Sequence, residues 1–537
     1  MSGVGKGITV ASIGKLLSAR GFKINLVKID PYLNVDAGTM NPTEHGEVFV
    51  LDSGLETDQD MGNYERFLDC NLGPENYMTS GMVYRSVIER ERSLGYNGKF
   101  VEAIPHVRDE IINRIKRATK ISGSDISVVE IGGTIGDFQN ALFIEAARIM
   151  HLENPDSVVF VMVSYLPVPA TIGEMKTRPT QHAVRALNSY GIQPQIIIAR
   201  SAMAMDHKRK EKLAIWCNVK PENIISAPDI KSIYDVPLNF ERDGLSDNLL
   251  NLLHLKSKKT DMQDWRRMVT RMTKAKDEIS IAVVGKYFKT GDFVLSDVYI
   301  SIIESIKHAS GALSKKVKID WLDSGDYEKN SSKLRGLEKY DGILVPGGFG
   351  ERGVEGKIRV IQYAREHGIP YFGICYGMQL AVVEFARHVV GLKEAHTTEI
   401  DLETKYPIIG ILPEQKENLR ERNMGGTMRL GAYPAWVKKG TLAYRLYKQV
   451  RISERHRHRY EVNPDLVAAL TAKGLVFSAT SPDNRLMEIA ELPKNVHPFF
   501  IGSQFHPEFK SSPLHPHPLF LGFIKASGER AKDRSAV

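Results

Sequence analysis

The chain has 537 residues, of which 72 are Lys or Arg and 64 are Asp or Glu, so its formal net charge is +8. A chain of this length is too long for one core and predicts at least two domains. The small positive excess does not indicate nucleic acid and suits anionic small substrates equally well. Cys70, Cys217 and Cys375 are too few and too scattered for a disulfide framework or a zinc site, which favours a reducing compartment.

The sequence contains no apolar stretch of the roughly 20 residues that a membrane-spanning helix needs. The first residues also lack the charged and then apolar pattern of a signal peptide. We therefore expect a cytoplasmic protein without nucleic-acid or membrane partners.

The chain opens with a glycine-rich turn followed at once by a helical pattern. Gly3, Gly5, Lys6 and Gly7 resemble a phosphate-binding loop, in which free N–H groups and a lysine meet a polyphosphate. A full motif has Ser or Thr directly after the lysine, where this chain has Gly7. A flexible N-terminal arm explains the glycines equally well.

Apolar runs at residues 23–30, 126–131, 157–163 and 194–199 alternate with helical patterns, which predicts a parallel sheet covered by helices. Glu130 ends one of these strands before Gly-Gly, and Asp58 and Asp60 lie in a second acidic run. Such carboxylates suit the Mg²⁺ of a nucleotide, and the alternative is that they cap turns. Lys28 and the run at 176–182 offer cations for further phosphates, unless they are surface cations.

A change of composition at residues 256–277 indicates a linker, with a basic, Met-rich helical pattern and no strand. From Glu278 the alternation of strands and helices resumes, with apolar runs at 279–287, 319–321, 342–346 and 370–374. We therefore predict a first domain at 1–255, the linker, a second domain at 278–526 and a flexible tail at 527–537.

In the second domain, the run Ile369-Pro-Tyr-Phe-Gly-Ile-Cys-Tyr-Gly has the form of a nucleophile elbow. Gly373 and Gly377 flank Cys375 because a sharp strand-to-helix turn leaves no room for a Cβ atom. The helix N-terminus favours the thiolate of Cys375. The alternative for a single Cys in an apolar run is a buried, inert thiol.

Two further motifs support the nucleophile. In Gln504-Phe-His-Pro-Glu508, the side chains of His506 and Glu508 share one face of an extended segment, as a base and its orienting carboxylate do. Pro346-Gly-Gly-Phe-Gly350 follows a buried strand, and its N–H groups are candidates for an oxyanion hole. The basic run Arg455-His-Arg-His-Arg459 is by composition a solvated loop or an anion site.

With these motifs the chain resembles the CTP synthase family over essentially its whole length. The resemblance implies an α/β fold with two doubly wound domains: a P-loop-like nucleotide-binding amidoligase domain, and a class I glutamine amidotransferase domain. The shared runs are Lys28-Ile-Asp-Pro-Tyr-Leu-Asn-Val-Asp-Ala-Gly-Thr-Met, Glu44-His-Gly-Glu-Val-Phe-Val, Glu56-Thr-Asp-Gln-Asp, Val129-Glu-Ile-Gly-Gly-Thr-Ile-Gly-Asp, Pro346-Gly-Gly-Phe-Gly-Glu-Arg-Gly, Gly425-Gly-Thr-Met-Arg-Leu-Gly and Glu454-Arg-His-Arg-His-Arg-Tyr-Glu-Val-Asn.

The resemblance implies that the first domain uses ATP to phosphorylate O4 of UTP, and that ammonia then displaces the phosphate to give CTP. Lys6 and Lys28 would support phosphoryl transfer, Asp60 and Glu130 would ligate Mg²⁺, and His45 would border the ammonia entrance. The implied ATP residues are Gly3, Val4, Gly5, Lys6, Gly7, Ile8, Asp60 and Ile230. The implied UTP or CTP residues are Ser2, Asp137, Phe138, Gln139, Lys176, Thr177, Arg178, Pro179, Thr180, Gln181 and Lys212.

In the second domain, the resemblance implies that Cys375 attacks glutamine while His506, oriented by Glu508, moves the proton. The implied oxyanion and glutamine-binding residues are Gly348, Tyr376, Gly377, Met378, Gln379, Glu399 and Arg457. Family behaviour further implies activation by GTP, feedback by CTP, a homotetramer and, in many members, filaments.

The chain departs from the family at several places. The family's first strand precedes the phosphate loop and is missing here, so we expect the sheet beside the ATP site to lack a strand. Glu102, Arg178 and Gln139 stand where the family usually has Gln, Lys and Glu, which predicts altered UTP affinity or CTP inhibition. The alternatives to a working enzyme are a glutaminase with an impaired synthetase half and a catalytically silent, filament-forming paralogue.

Overall fold

The computed structural model describes residues 3–286, 289–290, 293–294, 296–348, 350–411, 415 and 425–536. Its helices are α1 (Lys6–Ala19), α2 (Pro42–His45), α3 (Asp60–Leu68), α4 (Ser80–Arg92), α5 (Arg108–Ser122), α6 (Ala141–Glu153), α7 (Arg178–Ser189), α8 (His207–Cys217), α9 (Val236–Arg242), α10 (Leu245–Leu252), α11 (Gln263–Lys274), α12 (Ile300–Ala312), α13 (Ser324–Lys329), α14 (Val354–Glu366), α15 (Tyr376–Phe385), α16 (Leu442–Tyr447), α17 (Pro464–Ala472) and α18 (Pro518–Ala536).

The strands follow the same chain order. They are β1 (Ile24–Asp30), β2 (Val48–Val50), β3 (Glu56–Asp58), β4 (Tyr77–Thr79), β5 (Ile126–Ile131), β6 (Val161–Tyr165), β7 (Ile196–Ser201), β8 (Ile224–Pro228), β9 (Asp277–Gly285), β10 (Lys289–Thr290), β11 (Phe293–Val294), β12 (Lys315–Asp323), β13 (Gly342–Val345), β14 (Tyr371–Ile374), β15 (Ala395–Thr397), β16 (Tyr406–Ile411), β17 (Arg429–Val437), β18 (Arg451–His458), β19 (Tyr460–Val462), β20 (Val476–Thr480), β21 (Met487–Glu491) and β22 (Phe500–Ser503).

The chain forms two units, and the boundary between them is not a single point. The first unit comprises Met1–Asp36 and Asn63–Arg266, and the second comprises Ala37–Gly62 and Arg267–Val537. A segment of 26 residues, Ala37–Gly62, therefore belongs to the second unit although it lies within the predicted first domain. We call it the crossover segment.

Within the first unit, the described residues form parallel sheets in the orders β4-β1-β5 and β6-β7-β8. Strand β1 is buried along almost its whole length because it lies between two neighbours, whereas the edge strand β5 is largely half-buried and in the edge strand β6 buried residues alternate with more exposed ones. The parallel α/β arrangement that the alternating pattern predicts is confirmed. The expected absence of a strand beside the ATP site stays a prediction.

The second unit contains a mixed sheet of nine described strands in the order β12-β9-β13-β14-β22-β21-β20-β17-β18. The first five run parallel and the others join them antiparallel. Apolar side chains on β9, β13, β14 and β22 are buried under helices, as expected for inner strands of a doubly wound sheet, whereas those on the edge strand β12 are partly buried. The carboxyl ends of β13, β14 and β22 therefore lie side by side.

The predicted flexible tail differs from the structure, in which α18 continues without a break to Ala536. Phe520, Phe523 and Ser527 on this helix are fully buried. Beyond them, Arg534 Nη1 donates to Asp341 Oδ1 at 2.8 Å. Because its apolar face is packed against the domain, the helix continues into the small and charged residues for which the composition predicted fraying. Among the described residues, no helix is long and apolar enough to cross a membrane.

Candidate active site

Cys375 lies at the turn between β14 and α15, as the elbow motif predicts. Its backbone has φ 51° and ψ −101°, a region that residues with a Cβ atom rarely adopt. Such a conformation costs on the order of 1–3 kcal/mol and persists only where the surroundings enforce it. Its N–H donates to Ser503 O at 2.6 Å, which ties the turn to the end of β22. The turn thus holds the thiol at the start of a helix.

The two glycines around Cys375 are required by close packing. A Cβ atom on Gly373 would lie 2.7 Å from the carbonyl carbon of Gly377. A Cβ atom on Gly377 would lie 2.1 Å from Val345 O, which belongs to the backbone of β13. Neither contact is possible for a real side chain, so the crowding predicted from the sequence is confirmed.

The three motifs of the second domain meet because they follow three adjacent parallel strands. The Pro346 turn follows β13, Cys375 follows β14, and His506 comes shortly after β22. A Cβ atom placed on Gly347 would lie 3.0 Å from His506 Cε1 and 3.8 Å from Cys375 Cβ. Carboxyl ends of neighbouring parallel strands are the usual place for a ligand site in such sheets.

His506 and Glu508 form the predicted pair. His506 Nδ1 lies 2.7 Å from Glu508 Oε1, and both residues are buried. Burial by itself lowers the pKa of His506, but the negative charges of Glu508 and Cys375 outweigh it and raise the pKa to about 10. The imidazole is therefore charged at neutral pH, which suits it to stabilise a neighbouring thiolate and to protonate a leaving amine.

The proposed oxyanion donors come from the turn after β13 and from the start of α15. Tyr376 is the first residue of α15, so its N–H is one of the amides that a helix start leaves without an intrahelical acceptor. Gly348 lies in the Pro346 turn, where the described backbone has no regular secondary structure. Gly377, Met378 and Gln379 continue α15, and Gln379 Nε2 donates to Tyr460 O at 2.8 Å.

Glu399 and Arg457, the proposed ligands for the polar ends of glutamine, both have protein partners in this structure. Glu399 Oε1 accepts the N–H of Gly350 at 2.7 Å. Arg457 Nε donates to Glu56 Oε1 at 2.8 Å, and Glu56 belongs to the crossover segment. The Arg-His run is thus strand β18 and not a solvated loop.

Sequence reasoning missed two lysines beside this site. Lys286 Nζ donates to Gly350 O at 2.7 Å, and burial lowers the pKa of Lys286 to about 8. Lys357 is fully buried with its Nζ 5.2 Å from the centre of the Tyr376 ring. Burial and the charge of Lys286 lower the pKa of Lys357 to about 7. A lysine inside a helical apolar pattern, as in Gly-Val-Glu-Gly-Lys, was the only available signal.

In the first unit, the glycine-rich turn leads directly into α1. Gly3 and Gly5 have φ values of 69° and 88°, so both use the left-handed region that favours glycine, and Lys6 begins the helix. Arg200 at the end of β7 was missed: a Cβ atom on Gly5 would lie 3.5 Å from Arg200 Nε. Arg200 therefore adds a cation beside the proposed phosphate loop. Val4, Gly7 and Ile8 lie in the same turn and first helical residues.

Lys28 and Glu130 occupy facing positions on β1 and β5. Lys28 Nζ lies 3.1 Å from Glu130 Oε1 and 3.6 Å from Asp30 Oδ1, and all three side chains are buried. Tyr64 donates its hydroxyl to the other oxygen of Glu130. Lys28 thus contacts two buried carboxylates, whose oxygens are the kind of ligand that Mg²⁺ prefers.

The proposed nucleotide residues at 137–139 and 176–181 lie near the starts of helices. Thr177 and Gln181 are buried and joined by a hydrogen bond of 3.1 Å, and Thr180 Oγ1 lies 2.8 Å from Ser164 Oγ. Lys176 Nζ donates to Glu174 at 2.7 Å. Arg178 and Pro179 begin α7, Asp137 Oδ2 accepts the N–H of Thr134, and Phe138, Gln139, Glu102 and Lys212 are exposed.

The remaining predicted site residues lie in both units. His45 ends α2 and Asp60 begins α3, both within the second unit, while Ile230 follows β8 in the first. Ser2 lies outside the described residues. Among the described residues, no group of three or more His, Cys, Asp or Glu side chains is arranged to hold a metal by itself.

The fold and the site define a class of protein: a two-domain α/β enzyme with a nucleotide-binding domain and a glutamine amidotransferase domain. The model for the CTP synthase N-terminus matches residues 1–255, and that for glutamine amidotransferase class-I matches residues 294–526. The chain belongs to the CTP synthase family, the ligases that form CTP with nitrogen from glutamine.

Two full-length relatives agree with this assignment. The CTP synthase of Pyrococcus abyssi is 52% identical over 100% of this chain and 98% of its own length. The CTP synthase of Methanocaldococcus jannaschii is 50% identical over 99% of this chain and 98% of its own length. A solved structure, the Trypanosoma brucei CTPS glutaminase domain with bound acivicin, is 37% identical and covers 47% of this chain and 94% of its own, with a TM-score of 0.43.

Proposed function

We propose that this chain converts UTP to CTP, using ATP to activate UTP and glutamine to supply ammonia. The observation that carries the proposal is the meeting of Cys375, His506 and Glu508 at adjacent strand ends, in a chain whose first unit also holds the buried Lys28–Glu130 pair. A glutaminase triad and a charged phosphoryl-transfer site in one chain support an enzyme that makes ammonia and uses it.

In the glutaminase half, the Cys375 thiolate attacks the carboxamide carbon of glutamine. The resulting oxyanion accepts hydrogen bonds from the N–H groups of Gly348 and Tyr376, which are proposed to face it. His506, charged and oriented by Glu508, protonates the leaving amine. Ammonia departs, and water then hydrolyses the thioester to release glutamate. Glu399 and Arg457 are proposed to hold the α-amino and α-carboxylate groups.

In the synthetase half, ATP transfers its terminal phosphoryl group to O4 of UTP, and ammonia displaces the phosphate to give CTP. Lys6 and Lys28 are proposed to stabilise the charge of the transferring group, which needs fixed cations. Glu130 is a buried carboxylate in contact with Lys28. On the resemblance, Glu130 and Asp60 are the proposed ligands of a Mg²⁺ ion that would neutralise nucleotide phosphates. The residues at 137–139 and 176–181, with Lys212, are proposed to bind UTP or CTP.

The proposal includes regulation and assembly that rest on the resemblance alone. GTP is proposed to activate glutamine hydrolysis, CTP to inhibit, and the chain to form a homotetramer that assembles further into filaments. Light scattering of the purified protein with and without nucleotides measures the tetramer directly. A monomer under all nucleotide conditions would contradict this part only.

The test is the variant Cys375→Ala, assayed for CTP formation first with glutamine and then with ammonium chloride. We expect the glutamine-dependent rate to fall at least 10³-fold, because no other group replaces the nucleophile, and the ammonia-dependent rate to stay within about twofold. Loss of both rates would show that Cys375 supports the fold. A wild-type enzyme that hydrolyses glutamine but makes no CTP from ammonia would instead favour the impaired synthetase.

A further inference from the structure

The crossover segment, Ala37–Gly62, lies within the part of the chain matched by the synthetase model but belongs to the second unit. It contains the hairpin β2–β3, whose strands pair antiparallel. Its contacts with the rest of the second unit include α12, β17, β18 and the residues that follow His506. A segment from the part of the chain matched by the synthetase model thus lies close to the proposed catalytic base, His506.

Arg455 of β18 makes the principal contact. Its side chain is fully buried, and Nε donates to the carboxylate of Asp52. Nη1 donates to Val50 O at 3.1 Å and to Phe509 O at 3.3 Å. One guanidinium therefore binds the crossover segment and the segment after His506 at the same time.

The backbone of Arg455 also reaches the base directly. Its carbonyl oxygen accepts the N–H of His506 at 2.8 Å. Phe509 stacks on the His506 ring with 5.2 Å between centroids and 17° between planes. Phe49 of the crossover segment packs edge-on against Phe509, with 5.1 Å between the ring centroids and 68° between the planes. The segment thus supports the His506 ring through one intervening aromatic ring.

Three further contacts fasten the crossover segment. Glu47 accepts hydrogen bonds from the N–H and hydroxyl of Ser301 at the start of α12. Lys510 Nζ lies 3.3 Å from Asp52 Oδ1, and Ala432 N donates to Asp52 O at 3.0 Å. Burial opposes ionisation of Asp52, but Arg455 and Lys510 outweigh it and lower its pKa. Asp52 therefore contacts both Arg455 and Lys510 when the crossover segment is in place.

We propose that Arg455 is a positioning residue: it holds His506 in its working orientation only while Asp52 and Phe49 of the crossover segment are in place. Glutamine hydrolysis is then conditional on a segment that continues at both ends into the synthetase unit. Arg455 touches neither substrate nor thiol in this scheme. It acts through the His506 N–H and through Phe509. This inference rests on the proposed glutaminase role of His506.

The experiment compares Asp52→Asn and Arg455→Lys with Arg451→Lys in the full-length protein. Arg451 lies on the same strand but is exposed, so it is the matched control. We expect the first two variants to lower kcat for glutamine hydrolysis at least tenfold, with KM for glutamine and ammonia-dependent CTP formation within about twofold of wild type. The control should match wild type in all three measurements.

A second readout reports on the base itself. Alkylation of Cys375 by iodoacetamide is followed against pH by mass spectrometry of the Cys375 peptide. Because a misplaced His506 stabilises the thiolate less, we expect the alkylation profile of the two variants to move to higher pH. A role that is merely structural does not move this profile in protein that retains ammonia-dependent activity.

Two outcomes overturn the inference. The first is an unchanged glutamine-dependent kcat in both Asp52→Asn and Arg455→Lys. The second is an equal loss of the glutamine and ammonia reactions in Phe49→Leu, a smaller change, because it would mean that the segment supports the fold only. Selective loss of the glutamine reaction in this variant supports the proposal. Failure of wild type to hydrolyse glutamine would instead overturn the proposed function, so the two failures are distinguishable.

Discussion

At the scale of single residues, the proposed base depends on two charged neighbours. Glu508 lies against Nδ1 of His506, and the negative charges of Glu508 and Cys375 outweigh burial to raise its pKa to about 10. A histidine whose pKa rises on folding stabilises the folded state fully below its ordinary value near 6.5, and loses this contribution as pH approaches 10. The charged pair is therefore intact across neutral pH.

We predict that Glu508→Gln lowers kcat/KM for glutamine hydrolysis about 10²-fold or more, because the imidazolium loses its orienting charge. The alkaline limb of the pH–rate profile should also move to lower pH, since the pKa of His506 falls. Glu403→Gln, at an exposed position, is the control. An alkaline limb at the wild-type pH would mean that another group sets it.

The turn at Cys375 leads to a second prediction at this scale. Gly377→Ala places a methyl group 2.1 Å from Val345 O, so the backbone of β13 has to move. We expect a loss of about 1–3 kcal/mol in the free energy of unfolding, measured by thermal denaturation, together with loss of glutaminase activity. Gly410→Ala is the control because a Cβ atom there meets nothing within 4 Å. Equal stability of the two variants would contradict the packing argument.

At the scale of elements, β18 explains why arginine and histidine alternate in one run. Arg455 and Arg457 point to the crossover segment, while His456 and His458 point to the opposite face, as the two-residue period of a strand requires. On that face His456 Nε2 lies 2.7 Å from Glu488 Oε2, and Arg429 binds both Glu488 and Glu461. The strand therefore carries one charged network on each face.

The buried network predicts a pH dependence of stability. Burial and the charge of Glu488 outweigh Arg429 and raise the pKa of Glu461 to about 8. Between its ordinary pKa near 4.5 and 8, Glu461 binds more protons in the folded than in the unfolded state, so its contribution weakens as pH rises. We expect Glu461→Gln to show a smaller drop in Tm from pH 5 to pH 8 than wild type. An equal drop in Tm in the variant and the wild type would mean that another group causes the pH dependence of stability.

At the scale of the whole molecule, we expect the two activities to be separable by mutation, although the chain passes between the units more than once. Lys28→Met removes the buried cation beside Glu130 and Asp30. We expect CTP formation from glutamine and from ammonia to fall together at least 10²-fold, while glutamine hydrolysis persists. This is the mirror of the result expected for Cys375→Ala.

The control for Lys28→Met is Lys23→Met, which removes an exposed lysine just before β1. Because unpaired buried carboxylates cost about 3–5 kcal/mol, thermal denaturation of both variants is measured alongside activity. Persistent ammonia-dependent CTP formation in Lys28→Met would contradict the role of Lys28 in phosphoryl transfer.

Much of the second domain could be predicted from the sequence because its signals are local. Gly373 and Gly377 indicate the turn that holds Cys375. His506 and Glu508 share a face because they are two positions apart in the chain. The apolar runs named in the sequence overlap β1, β5, β6 and β7 of the first unit and β9, β12, β13 and β14 of the second, whereas later strands such as β18 were not predicted. The phosphate loop, the acidic residues Asp60 and Glu130, and Lys28 were inferred from local patterns, whereas the full residue lists came from the resemblance. All of these assignments stay predictions.

Other features left no local signal. Lys357 reads as an ordinary helix residue until burial beside Tyr376 shifts its pKa. The last residues read as a fraying tail, because a short window of sequence does not reveal the surface on which Phe523 and Ser527 are buried.

By itself, the sequence determined the alternating α/β class, the elbow at Cys375 and the kind of chemistry, because backbone crowding and strand periodicity act within a few residues. Only the tertiary structure decided that the crossover segment joins the glutaminase unit and that Arg455 binds Asp52, some 400 residues earlier in the chain. When two charged residues lie that far apart in the chain, the sequence around one does not indicate that it pairs with the other. Their pairing follows from sheet order and burial, which exist only once the chain has folded.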